Sequence, residues 1–411
     1  MSSQKNLPSG AVQPHPLVLS HFTLTSCLGH GLSQTLAALK AQQSGLTLCD
    51  FDGITLDTWV GSVNQVDEEV VPPGLKAYDC RNNRLAQLGL RQDGFPQAVE
   101  ALVARVGAHR VGVFLGTSTS GILQTELAYR RLDPLTGALP PDFAYAGTHN
   151  SFSISSFVRD YFGLLGPAAS ISSACSSSAK VFASAQRMIE AGLIDAAIVG
   201  GVDSLCLTTL YGFNSLALLS NRPCQPFDAA RKGISIGEGA AFILLERAPE
   251  HLDAHAVLLE GIGESSDAYH MSAPHPEGLG ASTAMQQALQ RAALHPSKID
   301  YINLHGTATP ANDSAEGKAV ASVFGNNSVP CSSTKGATGH ALGAAGGLEA
   351  VISVLALQHG LMPGGVHTRQ QDTSIPVNYL LENREQPLRH VLSNSFGFGG
   401  SNCSLIFGLA G

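Results

Sequence analysis

Short apolar runs, each bounded by small or turn-forming residues, alternate with longer stretches of helical period along most of this chain. That alternation restricts it to an α/β architecture with buried, largely parallel strands. Strands are expected at 16–21, 110–115, 168–172, 195–200, 240–246, 299–304, 329–333, 391–395 and 403–407, and helices at 32–42, 84–105, 151–163, 177–191, 282–294, 312–324 and 343–359. A strand feeds a helix at 168–191, and a second strand feeds a polar turn and helix at 299–324. The pattern suggests two related halves, 1–250 and 251–411, sharing one core. With 44 glycines and only 6% aromatics, helices and strands are expected to approach closely.

Bulk properties remove several functions. The net charge is −8 and no dense Lys/Arg run tracks a phosphate backbone, so nucleic acid is a poor partner. The apolar stretches 240–245 and 351–357 are shorter than the roughly 18 residues of a membrane span. The first residues lack a charged start followed by an apolar run, so a cytoplasmic location is expected. Eight scattered cysteines without a CxxC pair argue against a disulfide framework, and the fifteen histidines form no zinc-spaced motif, so no metal is expected.

Four segments carry candidate chemistry. In 167–192 (PAASISSACSSSAKVFASAQRMIEAG), Cys175 falls where a strand turns into a helix, among small residues that would leave its sulfur accessible. The positive end of that helix would favour thiolate. A free cysteine is also commonly just a small buried hydrophobe, the better reading for Cys80, Cys206, Cys224, Cys331 and Cys403. In 299–317 (IDYINLHGTATPANDSAEG) an apolar strand delivers His305 to a turn, and Asn312 is expected to cap the next helix, with Asp313 and Glu316 in its first turn. His305 could equally be satisfied within its loop. In 332–350 (SSTKGATGHALGAAGGLEA), Lys335 and His340 precede a helix whose Gly343, Gly346 and Gly347 permit close packing; the spacing is not that of a P-loop. The turn 394–402 (NSFGFGGSN) could be a hairpin connection or a mobile gate.

Taken in order, SSACSSSA, NLHGTATPAND, SSTKGATGHALGAAGG and NSFGFGGSN resemble the β-ketoacyl-[acyl-carrier-protein] synthase family of the elongating Cys-His-His type. The likeness extends to PFDAARKGISIGEGA at 226–240 and ESSDAYHM at 264–271, covering the chain from about residue 110 to its end. It implies a thiolase-like fold, two βα halves layered αβαβα, active as a dimer. Cys175 would accept an acyl group from the phosphopantetheine arm of an acyl carrier protein, with no cofactor of the enzyme's own. His305 and His340 would hold a malonyl thioester and stabilise the enolate as carbon dioxide leaves.

By the same resemblance, Lys335 and Glu349 would orient the histidines, Thr307 and Thr309 would hold the pantetheine arm, and Phe398, with Phe396 on the same loop, would gate the cysteine. The N–H groups of Cys175 and Phe398 would form an oxyanion hole. Ser118 and Thr119, small and polar where a large aliphatic is common, would give a deeper or more polar acyl pocket. Together with DCRNNRLA at 79–86 this is similar to synthases of aryl polyene or polyketide-like pathways. A thiolase acting on coenzyme A esters is one rival, although Cys403 does not fit its second cysteine. A non-catalytic chain-length subunit, as partner to a related ketosynthase, is another, although it normally lacks the nucleophile. Carrier docking would need a basic patch, for which Arg81, Arg84 and Arg130 or Arg131 are candidates, although each by itself reads better as an ordinary solvated arginine.

Overall fold

A computed structural model describes residues 16–411; the N-terminal stretch read above for a leader lies outside the described residues. The strands that organise the molecule are β1 (Leu17–Ser26), β2 (Val111–Gly116), β3 (Ala168–Ile171), β4 (Ala196–Asp203), β5 (Gly239–Arg247), β6 (Val257–Ser266), β7 (Tyr301–Asn303), β8 (Pro330–Ser332), β9 (Asn378–Tyr379), β10 (His390–Gly397) and β11 (Ser401–Leu409). They hydrogen-bond in the order β9-β8-β7-β10-β11-β6-β1-β5-β4-β2-β3. Numbered within each half, the order from edge to centre is 3-2-4-5-1 in both, with β9 added outside the second. The halves are stitched by two residue pairs, Leu17↔Leu259 and Val18↔Leu258, between β1 and β6. In each half three or more parallel strands end in two antiparallel ones.

The helices are α1 (Leu32–Lys40), α2 (Arg81–Leu90), α3 (Phe95–Val106), α4 (Ile122–Tyr129), α5 (Ser153–Tyr161), α6 (Ser177–Glu190), α7 (Leu207–Ser215), α8 (Leu279–Ala292), α9 (Pro310–Phe324), α10 (Lys335–Thr338) and α11 (Ala345–His359). One core joins α6 and α11 to the inner faces of both halves, with Phe182, Ala185 and Ile189 beside Leu348, Val351, Ile243 and Leu405. A second packs α2, α3 and α5 on the outside of the first half, and a third packs α8 and α9 on the outside of the second. The result is five layers, αβαβα. Residues Leu342–His359 form a stretch long and apolar enough to span a membrane, but it lies in the central layer, where burial from both sides demands such a sequence.

Several sequence expectations need correction. The helix expected at 84–105 is two helices, because Asp93 and Gly94 take left-handed conformations between them (φ 54° and 72°). The Asp93 carboxylate accepts the Leu32 N–H at 3.1 Å, starting α1, and the Thr23 hydroxyl at 2.8 Å. β6 went unrecognised. Its Gly261 and Gly263 weaken the strand pattern because α8 crosses so close that a Cβ would lie 2.2 Å from the Ala288 carbonyl oxygen and 1.8 Å from that of Ala284. α4, α7 and α10 also went unrecognised; they are short and held by contacts to other elements. Finally, Thr309, not Asn312, caps α9: its hydroxyl accepts the Asn312 N–H, with Pro310 leading the first turn.

Candidate active site

The functional side chains gather beyond the C-terminal ends of the parallel strands β2, β3, β7, β8 and β10, where open α/β sheets expose their loops. β3 runs into a turn whose Ala174 adopts φ 53°, costly for a residue with a Cβ. The flanking serines hold it: Ser177 Oγ donates to the Ala174 carbonyl at 2.5 Å and accepts the Ser173 N–H at 2.9 Å, and Ser176 Oγ donates to the Ser173 carbonyl at 2.9 Å. Cys175 is thereby fixed just before α6; it is 7% exposed and lines the cavity described below. Burial pushes its thiol up to about 12, although the Lys335 charge and the Phe398 N–H both pull downward. Desolvation is the largest influence on this group.

β7 ends at Asn303, and His305 follows in a turn held by Glu316 of α9, whose carboxylate accepts the N–H groups of His305 at 2.8 Å and Gly306 at 2.7 Å. Lys335, at the start of α10, donates to the His305 carbonyl at 2.6 Å, lies 3.4 Å from His305 Nδ1 and pairs with Glu349 of α11. An ammonium has only donors, so His305 Nδ1 accepts and the ring proton sits on Nε2. His340 Nε2 is 3.0 Å from Cys175 Sγ. Burial holds both imidazoles well below the usual histidine range, with Lys335 adding to the effect, so they act as neutral hydrogen-bonding rings.

Donor atoms of Cys175, His305 and His340 all lie within 4.8 Å of one another. Such a trio could in principle hold a soft cation, but the Lys335 ammonium beside His305 opposes it electrostatically. The three residues face a cavity of about 260 Å³. Thr307 and Thr309, hydroxyls 2.9 Å apart, line it with Pro310 and Asn312; Phe396 and Phe398 line it too. Phe396 packs 5.9 Å from the His305 ring, and Phe398 lies 5.8 Å from the Phe213 ring. The turn carrying Phe398 closes the β10–β11 hairpin, so it is a hairpin connection as well as a lip of the cavity.

The structure thus brings together Cys175, His305, His340, Lys335, Glu349, Thr307, Thr309, Phe396 and Phe398. Ser118 and Thr119 do not line this cavity. Asp203, at the end of β4, draws their loop inward by accepting the N–H groups of both and the hydroxyl of Thr119, each at 2.8 Å. The four arginines considered for docking are all engaged: Arg81 with Asp67 and Glu238, Arg84 with Asp79, Arg130 with Asp52 and Arg131 with Asp142. Sequence reasoning treated Glu316 as a helix-start charge and missed its hold on His305; a carboxylate eleven residues downstream of a strand-end histidine was the available signal. It also missed Phe213 and Leu218, which line the cavity from a segment that carries no motif, and gave no role to Ile234 and Asp267, which line it from the resembling stretches 226–240 and 264–271.

A five-layer fold with a cysteine and two histidines converging from its two halves defines the thiolase-like class of acyl-transferring condensing proteins. Residues 95–251 match the model described as beta-ketoacyl synthase, N-terminal domain, and 255–369 the corresponding C-terminal domain. The chain belongs to the beta-ketoacyl synthase family. It is 34% identical to 3-oxoacyl-[acyl-carrier-protein] synthase 2 of Coxiella burnetii, covering 95% of this chain and 97% of that protein. Among solved structures it is similar to a chain of the ketosynthase (ApeO) complex with its chain length factor (ApeC) from Xenorhabdus doucetiae, at 39% identity and TM-score 0.87, covering 98% and 100% of the two chains. A chain of the ishigamide ketosynthase/chain length factor is also similar, with 26% identity and TM-score 0.87 over 97% of this chain and 100% of that one.

Proposed function

We propose that this protein is a β-ketoacyl-acyl carrier protein synthase whose nucleophile is Cys175. The observation that carries the reading is the buried sulfur 3.0 Å from His340 Nε2, with His305 close by, at the base of one cavity. In the first half-reaction Cys175 attacks a carrier-bound acyl thioester. A new S–C bond forms, the pantetheine S–C bond breaks, and the thiol proton passes to the departing pantetheine thiolate. In the second, carrier-bound malonate loses carbon dioxide. Its enolate oxygen accepts from the Nε2–H groups of His305 and His340, each such donor contributing about 3 kcal/mol. The enolate carbon attacks the Cys175 thioester, the oxyanion accepts from the N–H groups of Cys175 and Phe398, and the sulfur leaves as thiolate and takes one proton from solvent.

The substrates are the acyl carrier thioesters themselves, and no separate cofactor enters the scheme. Thr307 and Thr309 at the cavity rim suit a pantetheine arm. The similarity to ketosynthase and chain length factor complexes supports a second subunit, a copy of this chain or a related one; the reading of a polyketide-like or aryl polyene pathway rests on the segment DCRNNRLA at 79–86. A cytoplasmic location follows from that reading. Incubation with an acyl carrier thioester should leave the acyl mass on the peptide containing Cys175, and adding the malonyl carrier should clear it as β-ketoacyl carrier. Cys175→Ala should abolish both. Acylation from coenzyme A esters alone would favour a thiolase, and no adduct would favour a chain-length subunit.

A further inference from the structure

One apolar side of the cavity is formed by Phe213 near the end of α7, by Leu218 just beyond it, and by Ile234, whose N–H donates to the Leu218 carbonyl at 2.8 Å. Phe213 also packs against Phe398. The placement of this side therefore depends on where α7 begins. That start is unusual in how it is held. The sulfur of the capping residue, Cys206, meets the Thr209 hydroxyl at 3.2 Å and caps no backbone N–H, and the N–H groups around it go to side chains of other elements. Ser204 N–H donates to Thr119 Oγ at 3.2 Å and Leu205 N–H to Glu238 at 2.9 Å. Leu207 and Thr208 N–H both donate to Glu126 of α4, at 2.9 and 2.6 Å, and the Thr208 hydroxyl donates to the same carboxylate at 2.5 Å.

A carboxylate that takes two N–H groups at the positive end of a helix fixes both the helix direction and its register. We infer that Glu126 is a positioning residue for acyl selection: by anchoring the start of α7 it sets where Phe213 and Leu218 stand in the cavity. The inference rests on the acyl-accepting role of Cys175. It also gives the loop 116–121 a part in chain selection from behind the cavity, since Thr119 holds the β4–α7 connection and α4 follows that loop directly.

The test uses the full chain, carrier-bound acyl primers of increasing length, and malonyl carrier supplied without primer. Glu126→Ala should change the ratio of kcat/KM between the longest and shortest accepted primers about tenfold, with Glu126→Gln intermediate. Decarboxylation of malonyl carrier, which depends on His305 and His340, should stay within about twofold of the parent. An unaltered primer profile in a folded Glu126→Ala protein overturns the inference, as does decarboxylation falling in parallel with condensation. Should Glu126→Ala fail to fold, Glu126→Gln and Thr208→Val carry the same comparison. If the parent protein never acylates Cys175, it is the proposed reaction that fails.

Discussion

Cys175 shows two physical forces opposed at a single atom. The turn places its sulfur at a helix start and beside the Phe398 N–H, which favour the anion, while burial disfavours it more strongly and leaves the group up to about 12. Alkylation by iodoacetamide should therefore accelerate about tenfold per pH unit from 7 to 9 without levelling off; a plateau near pH 7 would mean the thiolate already predominates. Lys335 supports the site from behind. Burial raises the Glu349 carboxyl from 4.5 to about 7, with Lys335 pulling the other way. A carboxyl raised on folding binds its proton more tightly in the native state, so that contribution is full below 4.5 and is lost as pH climbs through about 7. Lys335→Ala removes the opposing charge and should destabilise by about 3–5 kcal/mol where Glu349 ionises. Urea midpoints should show the deficit growing from pH 6 to 8. Malonyl decarboxylation should fall as well, because the His305 tautomer is no longer fixed.

At the scale of elements, the site depends on α6 and α11 crossing closely enough for residues from the two halves to meet. Gly347 N–H donates to Ser178 Oγ at 2.8 Å. A Cβ on Gly346 would stand 2.8 Å from Ala179 Cβ and 2.7 Å from Ser395 Oγ. Gly346→Val should cost about 1–3 kcal/mol or more from overpacking and should slow condensation beyond its effect on thermal stability, because α11 carries Glu349 and follows directly on His340. An unchanged melting temperature would refute this. α6 was legible from sequence because Ala179, Phe182, Ala185 and Ile189 repeat on one face. α7 was not: it is nine residues long, only Leu210 is buried, and its start is held by carboxylates from elsewhere.

At the scale of the whole molecule, large apolar side chains lie exposed between α4 and α5, where Leu135 is 94% exposed and Tyr129 and Tyr145 more than half. The edge strand β3 is paired on one side only. Exposed apolar area of this kind commonly marks an interface. The protein should therefore migrate in light-scattering chromatography as a two-subunit particle, with itself or with a co-expressed ketosynthase-like partner. Leu135→Glu with Tyr145→Glu should shift it toward a single chain, and no shift would remove this face from the interface.

By itself the sequence determined the alternation of strand and helix, the close packing of the glycine-bearing helix at 343–359, and the placing of Cys175 and His305 at the ends of apolar strands and of His340 in the turn before a helix, because these follow from local periodicity and turn chemistry. Only the tertiary structure decided that the sulfur is desolvated, that Glu316 and Lys335 hold His305, that Asp203 turns Thr119 away from the cavity, and that the four arginines are neutralised by neighbours. Each of those outcomes depends on groups far apart in the chain, and burial and pairing are properties of the space they share.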